Sequence, residues 1–344
     1  MAAEALKEAL RTLAAHQSLS AEQARAAFDV VMGGEASPTQ IAALLMALRV
    51  KGETPDEIAG AAQALRDAMV RLPCERPEDL VDTCGTGGGA VQTFNISTAA
   101  ALLAAGAGAR VAKHGNRSFT SRSGSADVLE ALGVAIEAPV ELMSRALADA
   151  GIVFMYAPLM HPAMRHVGPV RRELAIPTVM NVVGPLANPA LAGRQVVGVA
   201  EPRRLALMAG ALAALGTRHA LVVHGEPGMD EISPLGITRV VEVRDDATSE
   251  WEIDPAAYGY AGVRAEELAG AMPAENARLI EATLAGTGPR GARAAVVLNA
   301  GAALYVGGLA DTFGAGVDAA EKALEAGKGL EALTRLRRAF AGAA

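Results

Sequence analysis

Apolar residues follow two different rhythms along the chain, and the change between them divides it. Up to about residue 73 the spacing is helical. Ile41, Leu44, Leu45 and Leu48 fall at i, i+3, i+4 and i+7, and Ile58, Ala62, Leu65 and Met69 form a second such stripe. Ser20 with Gln23, Ser37-Pro38 with Gln40, and Thr54-Pro55 with Glu57 have the form of helix-starting capping boxes, two of them with proline at the first helical position. Residues 1–73 are therefore expected to be a small all-helical domain. Its apolar faces, larger than its own core needs, suit a dimer contact.

From Leu80 onward short apolar runs alternate with helical stretches. Strands are predicted at 80–83, 109–112, 152–155, 179–182, 196–199 and 220–224, and helices at 97–105, 126–132 and 203–215. Segments 239–244 and 251–253 read as an antiparallel pair, and 292–306 and 319–341 as helices. The expected class is α/β, with a larger domain over 74–344 built on a mostly parallel central sheet; part of the 160–190 region is expected to join the helical domain. Ligands of such sheets lie beyond the carboxyl ends of the strands. That rule gathers 85–89, 113–117, 157–171, 184–189 and 224–231 onto one rim.

The most distinctive stretch follows the first strand. Gly85, Gly87, Gly88 and Gly89 fill four of five positions, and Asn95, Ser97 and Thr98 then open a helix. Glycine permits positive φ and close approach, so the free N–H groups of this turn and of the new helix can cradle an anion. A P-loop is excluded, since no lysine lies between Asp82 and Thr98. A dinucleotide site needs an acidic residue after the next strand. Here that strand runs into Lys113-His114-Gly115-Asn116-Arg117, so the loop reads as one wall of a polyphosphate site with Lys113 and Arg117 as countercharges. Ser118, Thr120, Ser121, Ser123 and Ser125 make a second hydroxyl-rich loop before the helix at 126.

Composition narrows the partners. Against 31 basic residues stand 38 acidic ones, a net charge of −7, and aromatic residues make up only 3%. No general affinity for nucleic acid or an anionic membrane follows from such a chain. Cys74 and Cys84 are too few for a disulfide framework and lack metal-ligand spacing with histidine, which fits a reduced, cytoplasmic setting. No apolar run approaches the ~20 residues of a membrane span, and the first residues have no signal-peptide layout.

Four motifs in order, Gly85-Thr86-Gly87-Gly88, Thr93-Phe94-Asn95-Ile96-Ser97-Thr98, Lys113 to Arg117 and Asn181 to Pro189, resemble those of the anthranilate phosphoribosyltransferases of tryptophan biosynthesis, over nearly the whole chain. The resemblance implies a nucleoside phosphorylase/phosphoribosyltransferase-like fold. It implies transfer of a phosphoribosyl group from phosphoribosyl pyrophosphate to the amino group of anthranilate, with Mg2+ as helper, in a homodimer. Carried over residue by residue, phosphoribosyl pyrophosphate would meet Gly85, Thr86, Gly87, Gly88, Gly89, Thr93, Asn95, Ile96, Ser97 and Thr98. It would also meet Lys113, His114, Gly115, Asn116, Arg117, Ser118, Phe119, Thr120, Ser121 and Ser125. Anthranilate would meet Gly85, His114, Asn116 and Arg171, and the metal Ser97, Asp230 and Glu231. No catalytic base stands out; His114 is the side chain to test, and a neutral aromatic amine needs to lose its proton only as the bond forms. The chain departs from the family at Gly89, where an acidic residue is usual. A pyrimidine nucleoside phosphorylase and a non-catalytic, nucleic-acid-binding relative are the rival readings.

Overall fold

The computed structural model describes residues 2–118, 122–245 and 247–341. Four helices come first: α1 (Ala2–Ala14), α2 (Ala21–Met32), α3 (Pro38–Lys51) and α4 (Pro55–Asp67). Ser20, Ser37 and Thr54 cap α2, α3 and α4, each with the reciprocal bond from Gln23, Gln40 or Glu57. Glu57 does more than cap. Its buried carboxylate accepts from Leu19 N at 2.9 Å and Lys51 Nζ at 3.0 Å, tying three helical segments together.

The strands are β1 (Val81–Gly85), β2 (Val111–Gly115), β3 (Ile152–Tyr156), β4 (Arg194–Gly198), β5 (His219–Gly225), β6 (Thr238–Arg244) and β7 (Ala247–Ile253). They form one sheet in the order β3-β2-β1-β4-β5-β6-β7. The first five are parallel, and β6 and β7 extend the same sheet antiparallel. Between them run α5 (Ile96–Gly106), α6 (Ser125–Ala131), α7 (Val140–Ala150), α8 (Ala157–Met160), α9 (Met164–Leu174), α10 (Val183–Leu186) and α11 (Leu205–Ala214). The chain ends in α12 (Pro273–Leu284), α13 (Arg290–Val306), α14 (Phe313–Glu325) and α15 (Lys328–Ala339).

The central strands are covered on both faces, so they are apolar on both sides, while the edge strand β7 is largely exposed. Val196, Leu221, Val223 and Val240 face a core shared with α5 and α12–α15. Val197, Ala220, Val222, Val241 and Val243 face a second core, in which α1–α4 pack with α9, α10 and α11. Residues 163–187 thus lie in the same apolar cluster as the first four helices.

Several elements differ from the sequence reading. Residues 179–182 are not a strand: Val179–Asn181 is a 3-10 turn leading into α10, fixed by Thr178 N donating to Asn181 Oδ1. With Val179, Met180 and Val182 buried and only Asn181 exposed, this short run carries no period that separates strand from helix. The rim segment 157–171, given no element in the sequence reading, is mostly helical, as α8 and the first part of α9. The stretch 319–341 is two helices, because Gly327 takes φ +69° and ends the first of them.

Candidate active site

In the order β3-β2-β1-β4-β5 the chain leaves β1 in one direction and returns at β4 on the other side, so β1 and β4 flank the switch point where a crevice opens beyond their carboxyl ends. Gly85 and Gly198, the last residues of these strands, are paired across that point. β5, alongside β4, also ends in glycine, at Gly225. The reason is close approach. After β5 the chain turns through Gly225–Met229 and doubles back, so that Asp230 and Glu231 lie across the strand ends. A Cβ on Gly198 would overlap the Asp230 carbonyl, one on Gly85 the Asp230 carboxylate, and one on Gly225 would sit 2.5 Å from the Glu231 carbonyl. Three bare strand ends admit one acidic segment.

The glycine-rich loop crosses above it. Gly87 and Gly88 take φ +71° and +81°, with nothing near their would-be side chains. Gly87 N donates to Asp230 Oδ2 at 2.7 Å. Thr86 N donates to Gly198 O, and Ala90 N to Gly228 O. At Gly89, a Cβ would lie 3.0 Å from Gly228 O and 3.2 Å from Asp230 Oδ1, so the acidic side chain usual there would face Asp230.

Beneath the loop, Thr83, Cys84, Ser97, Val196, Gly198, Val223, Asp230, Glu231 and Asn299 line a cavity of about 10 Å³, room for roughly one water. Burial raises the pKa of Asp230 and raises that of Glu231 well above the usual carboxylate range, helped by the charge of Asp230 beside it. Among the described residues the Glu231 carboxylate accepts no hydrogen bond. Two crowded carboxylates held this way are short of positive charge. Their donor set, with the Ser97 hydroxyl, suits a hard divalent ion that takes few protein oxygens and completes its shell with phosphate. Among the described residues no three His, Cys, Asp or Glu side chains form a cage by themselves. Burial pushes the Cys84 thiol well up, so it stays protonated and is no nucleophile.

The basic side of the site differs from expectation. Lys113 lies within β2, only 3% exposed; its Nζ donates to Thr83 O and, at 3.2 Å, to Ser97 Oγ. Burial lowers its pKa against the pull of Asp82. Asp82 is buried too, pushed up to about 6 by desolvation while His114 N and Asn188 Nδ2 donate to it. Lys113 therefore supports the strand ends from below. Arg117 is no free countercharge either. It bonds Asp127 at 3.0 Å and both oxygens of Glu130, with its guanidinium 5.7 Å from the Tyr156 ring centroid. The Asp127 carboxylate also accepts from Ser118 N and Gly124 N, so it occupies the anion position expected at the start of α6.

Asn95 stands at the N-cap of α5 without capping it. Its amide joins Ser123 and Asn276, fastening the two loops to α12. Ile96 is wholly buried, and Thr98 is 1% exposed with its hydroxyl unpartnered among the described residues. Thr93 bridges Ala269 through the backbone. Asn116 Oδ1 accepts from Arg117 N, and its carbonyl from Ser125 Oγ. Gly115 gives the Ser125 side chain room against β2. Phe119, Thr120 and Ser121 lie outside the described residues.

His114 packs against His161 with ring centroids 4.9 Å apart. Burial holds both rings neutral, His161 down to about 4, and His114 Nε2 and both His161 nitrogens lack a well-formed hydrogen bond among the described residues. Arg171, on α9, is half-buried with no carboxylate partner among the described residues, and burial lowers its pKa. An unpaired, desolvated guanidinium fits an incoming anion. Asn188, from the last of the four motifs, is structural: its amide bonds Asp82, the Ala112 carbonyl and Ala190 N. Asn276 and Asn299 escaped the sequence reading. For Asn299 the signal was a polar residue inside an apolar helical run; Asn276, in a mixed polar stretch, carried none.

Residues 77–330 match the glycosyl transferase family a/b domain, and residues 7–69 its helical bundle domain. An anthranilate phosphoribosyltransferase of Rubrobacter xylanophilus is 51% identical over 97% of both chains. The chain belongs to the anthranilate phosphoribosyltransferase family. The crystal structure of the family member from Thermus thermophilus superposes with a TM-score of 0.91 at 43% identity, covering 97% of this chain and 99% of that one. The Saccharomyces cerevisiae family member in complex with phosphoribosyl pyrophosphate and Mg gives 0.87 at 27% identity, over 98% of both chains. The same yeast protein in complex with 4-fluoroanthranilate gives 0.87 at 25%, over 99% of this chain and 98% of that one.

Proposed function

We propose that this protein transfers the phosphoribosyl group of phosphoribosyl pyrophosphate to the amino nitrogen of anthranilate, releasing pyrophosphate, in tryptophan biosynthesis. One observation carries the reading: an acidic pair laid across three glycine-ended strands, under a glycine loop, at the switch point of the sheet. The relatives reported above bear the transferase activity by name, which favours catalysis over the nucleic-acid-binding alternative.

The leaving group sets the main task. Bond breaking at the anomeric carbon builds positive charge on the ribose and negative charge on pyrophosphate, so the site must stabilise the latter and aim the amine. The backbone N–H groups of Gly88 and Gly89, the first turn of α5 at Ser97, and the hydroxyls of the Ser118–Ser125 loop serve the phosphates. Asp230, Glu231 and Ser97 would hold Mg2+, which when bound neutralises pyrophosphate charge. Arg171 receives the anthranilate carboxylate, and the His114 side of the site faces its ring. Burial disfavours protonation of His114, so it lines the ring's side of the site and the amine proton departs to solvent as the new bond forms. A cytoplasmic homodimer paired through the helical segment completes the proposal; exposed Val50 and Val70 support that pairing, and sedimentation tests it.

The deciding experiment follows the loss of anthranilate fluorescence on adding phosphoribosyl pyrophosphate, with and without Mg2+, for the wild type and Gly89→Asp. The wild type is expected to consume anthranilate only with Mg2+. The added carboxylate faces Asp230, so the Mg2+ concentration for half-maximal rate should move by about tenfold. An inert wild type beside an active variant would mark a lapsed transferase; two inert proteins would sink the substrate assignment.

A further inference from the structure

Asn299 sits in the middle of α13, in an otherwise apolar run, and is 5% exposed. Its amide is spent entirely on main chain. Oδ1 accepts from Ile232 N at 3.0 Å, and Nδ2 donates to Ile232 O and to Ala295 O, each at 2.9 Å. Both amide hydrogens are thereby used. The side chain pairs with the backbone N–H and C=O of Ile232, the residue directly after Glu231, as a neighbouring antiparallel strand would. It also lines the cavity shared with Ser97, Asp230 and Glu231.

We propose that Asn299 is a positioning residue for the carboxylate pair. Glycines 85, 198 and 225 let the acidic segment come down onto the strand ends, and Gly87 N–H holds the Asp230 carboxylate from the loop side. Past Glu231, Ser233 is tied by its N–H to Thr238 Oγ1 and by its hydroxyl to Glu226 O, which leaves Ile232, the residue between, to be held. The Asn299 amide adds a hold on both backbone polar atoms of Ile232, the N–H of the peptide joining it to Glu231 and the C=O of the next, which sets the direction in which the Glu231 carboxylate leaves the backbone. Its place on a buried, 17-residue helix gives that anchor rigidity a loop contact would lack. The inference rests on the metal-assisted reading above and adds to it a residue that touches neither metal nor substrate.

Asn299→Leu keeps the branch at Cγ and removes all three bonds; Asn299→Thr, close to asparagine in size, puts one hydroxyl in place of the amide. Folding is checked by circular dichroism, and binding of Mn2+ in the presence of pyrophosphate is followed by electron paramagnetic resonance. Outer-shell partners of metal ligands typically change affinity by about 10–100-fold. A loss in that range is expected for Asn299→Leu, with a smaller one for Asn299→Thr. A purely structural asparagine would lower the melting temperature and leave Mn2+ affinity within about twofold of the wild type; that result overturns the proposal. Should neither variant fold, the wild type decides: exchange of the Ile232 amide must slow when Mn2+ and pyrophosphate are added, and an unchanged rate is equally fatal. A wild type that binds no Mn2+ with pyrophosphate would instead remove the metal reading on which the proposal stands.

Discussion

The loops that leave β1 and β2 look alike in sequence, each running from a strand through glycine and small polar residues into a helix, yet they are built for different ends. After β1 the backbone is bare: Gly87 and Gly88 stand in open space, and the acidic pair beneath them is short of positive charge. After β2 nearly every charge is already matched. Arg117 is held by Asp127 and Glu130 and Asp127 by two backbone N–H groups, and inside β2 itself Lys113 is held by Thr83 and Ser97. A basic residue in the right motif is therefore no proof of a phosphate contact, because its neighbours decide whether its charge is free. What marks the site is the unmatched side, glycine and carboxylate together.

The largest expected effect tests that unmatched side. Gly198→Ala places a methyl where the Asp230 main chain lies, so the acidic segment must move. With the fold intact, kcat/KM should fall by about 100-fold, roughly 2.7 kcal/mol of transition-state stabilisation. A loss of threefold or less in steady-state assays would mean that the position of Asp230 and Glu231 does not set the rate.

Next comes acid, which acts on the β2 side. His161 has its pKa lowered to about 4 from an ordinary 6.5, so the unfolded chain takes up a proton that the folded one refuses. That stability is fully present above pH 6.5 and is lost as pH falls towards 4, on the order of 2–3 kcal/mol at most; His114, also lowered, acts in the same direction. Thermal melts from pH 7 to pH 4 should show the decline, and His161→Gln should flatten it. An identical pH profile in the variant would show that the imidazole pair is not what acid breaks.

The smallest effect separates structure from binding at Arg117. The guanidinium is 41% exposed, so Arg117→Gln should cost only about 1 kcal/mol in denaturant unfolding. The KM for phosphoribosyl pyrophosphate should stay within about threefold. A tenfold rise would return Arg117 to the phosphate site and erase the contrast between the two loops.

Much of this was legible beforehand. Helical spacing and capping boxes announced α2, α3 and α4, and alternating short apolar runs announced a mostly parallel sheet, because local propensity and burial pattern agree there. Elsewhere local signals ran out. Residues 179–182 lacked a readable period, α7 and α12 went unmarked, and the charged partners of Arg117 lie 10 and 13 residues further on, across a turn.

By itself the sequence determined the class of the fold, the glycine-rich turn and the acidic pair at 230–231, since backbone freedom and charge are properties of residue types. Only the tertiary structure decided which groups remain available. Burial and pairing depend on neighbours distant in the chain: Asp230 meets Gly87 across 143 residues, Asn188 meets Asp82 across 106, and Asn299 meets Ile232 across 67. A side chain's chemistry at the site is what those neighbours leave unspent.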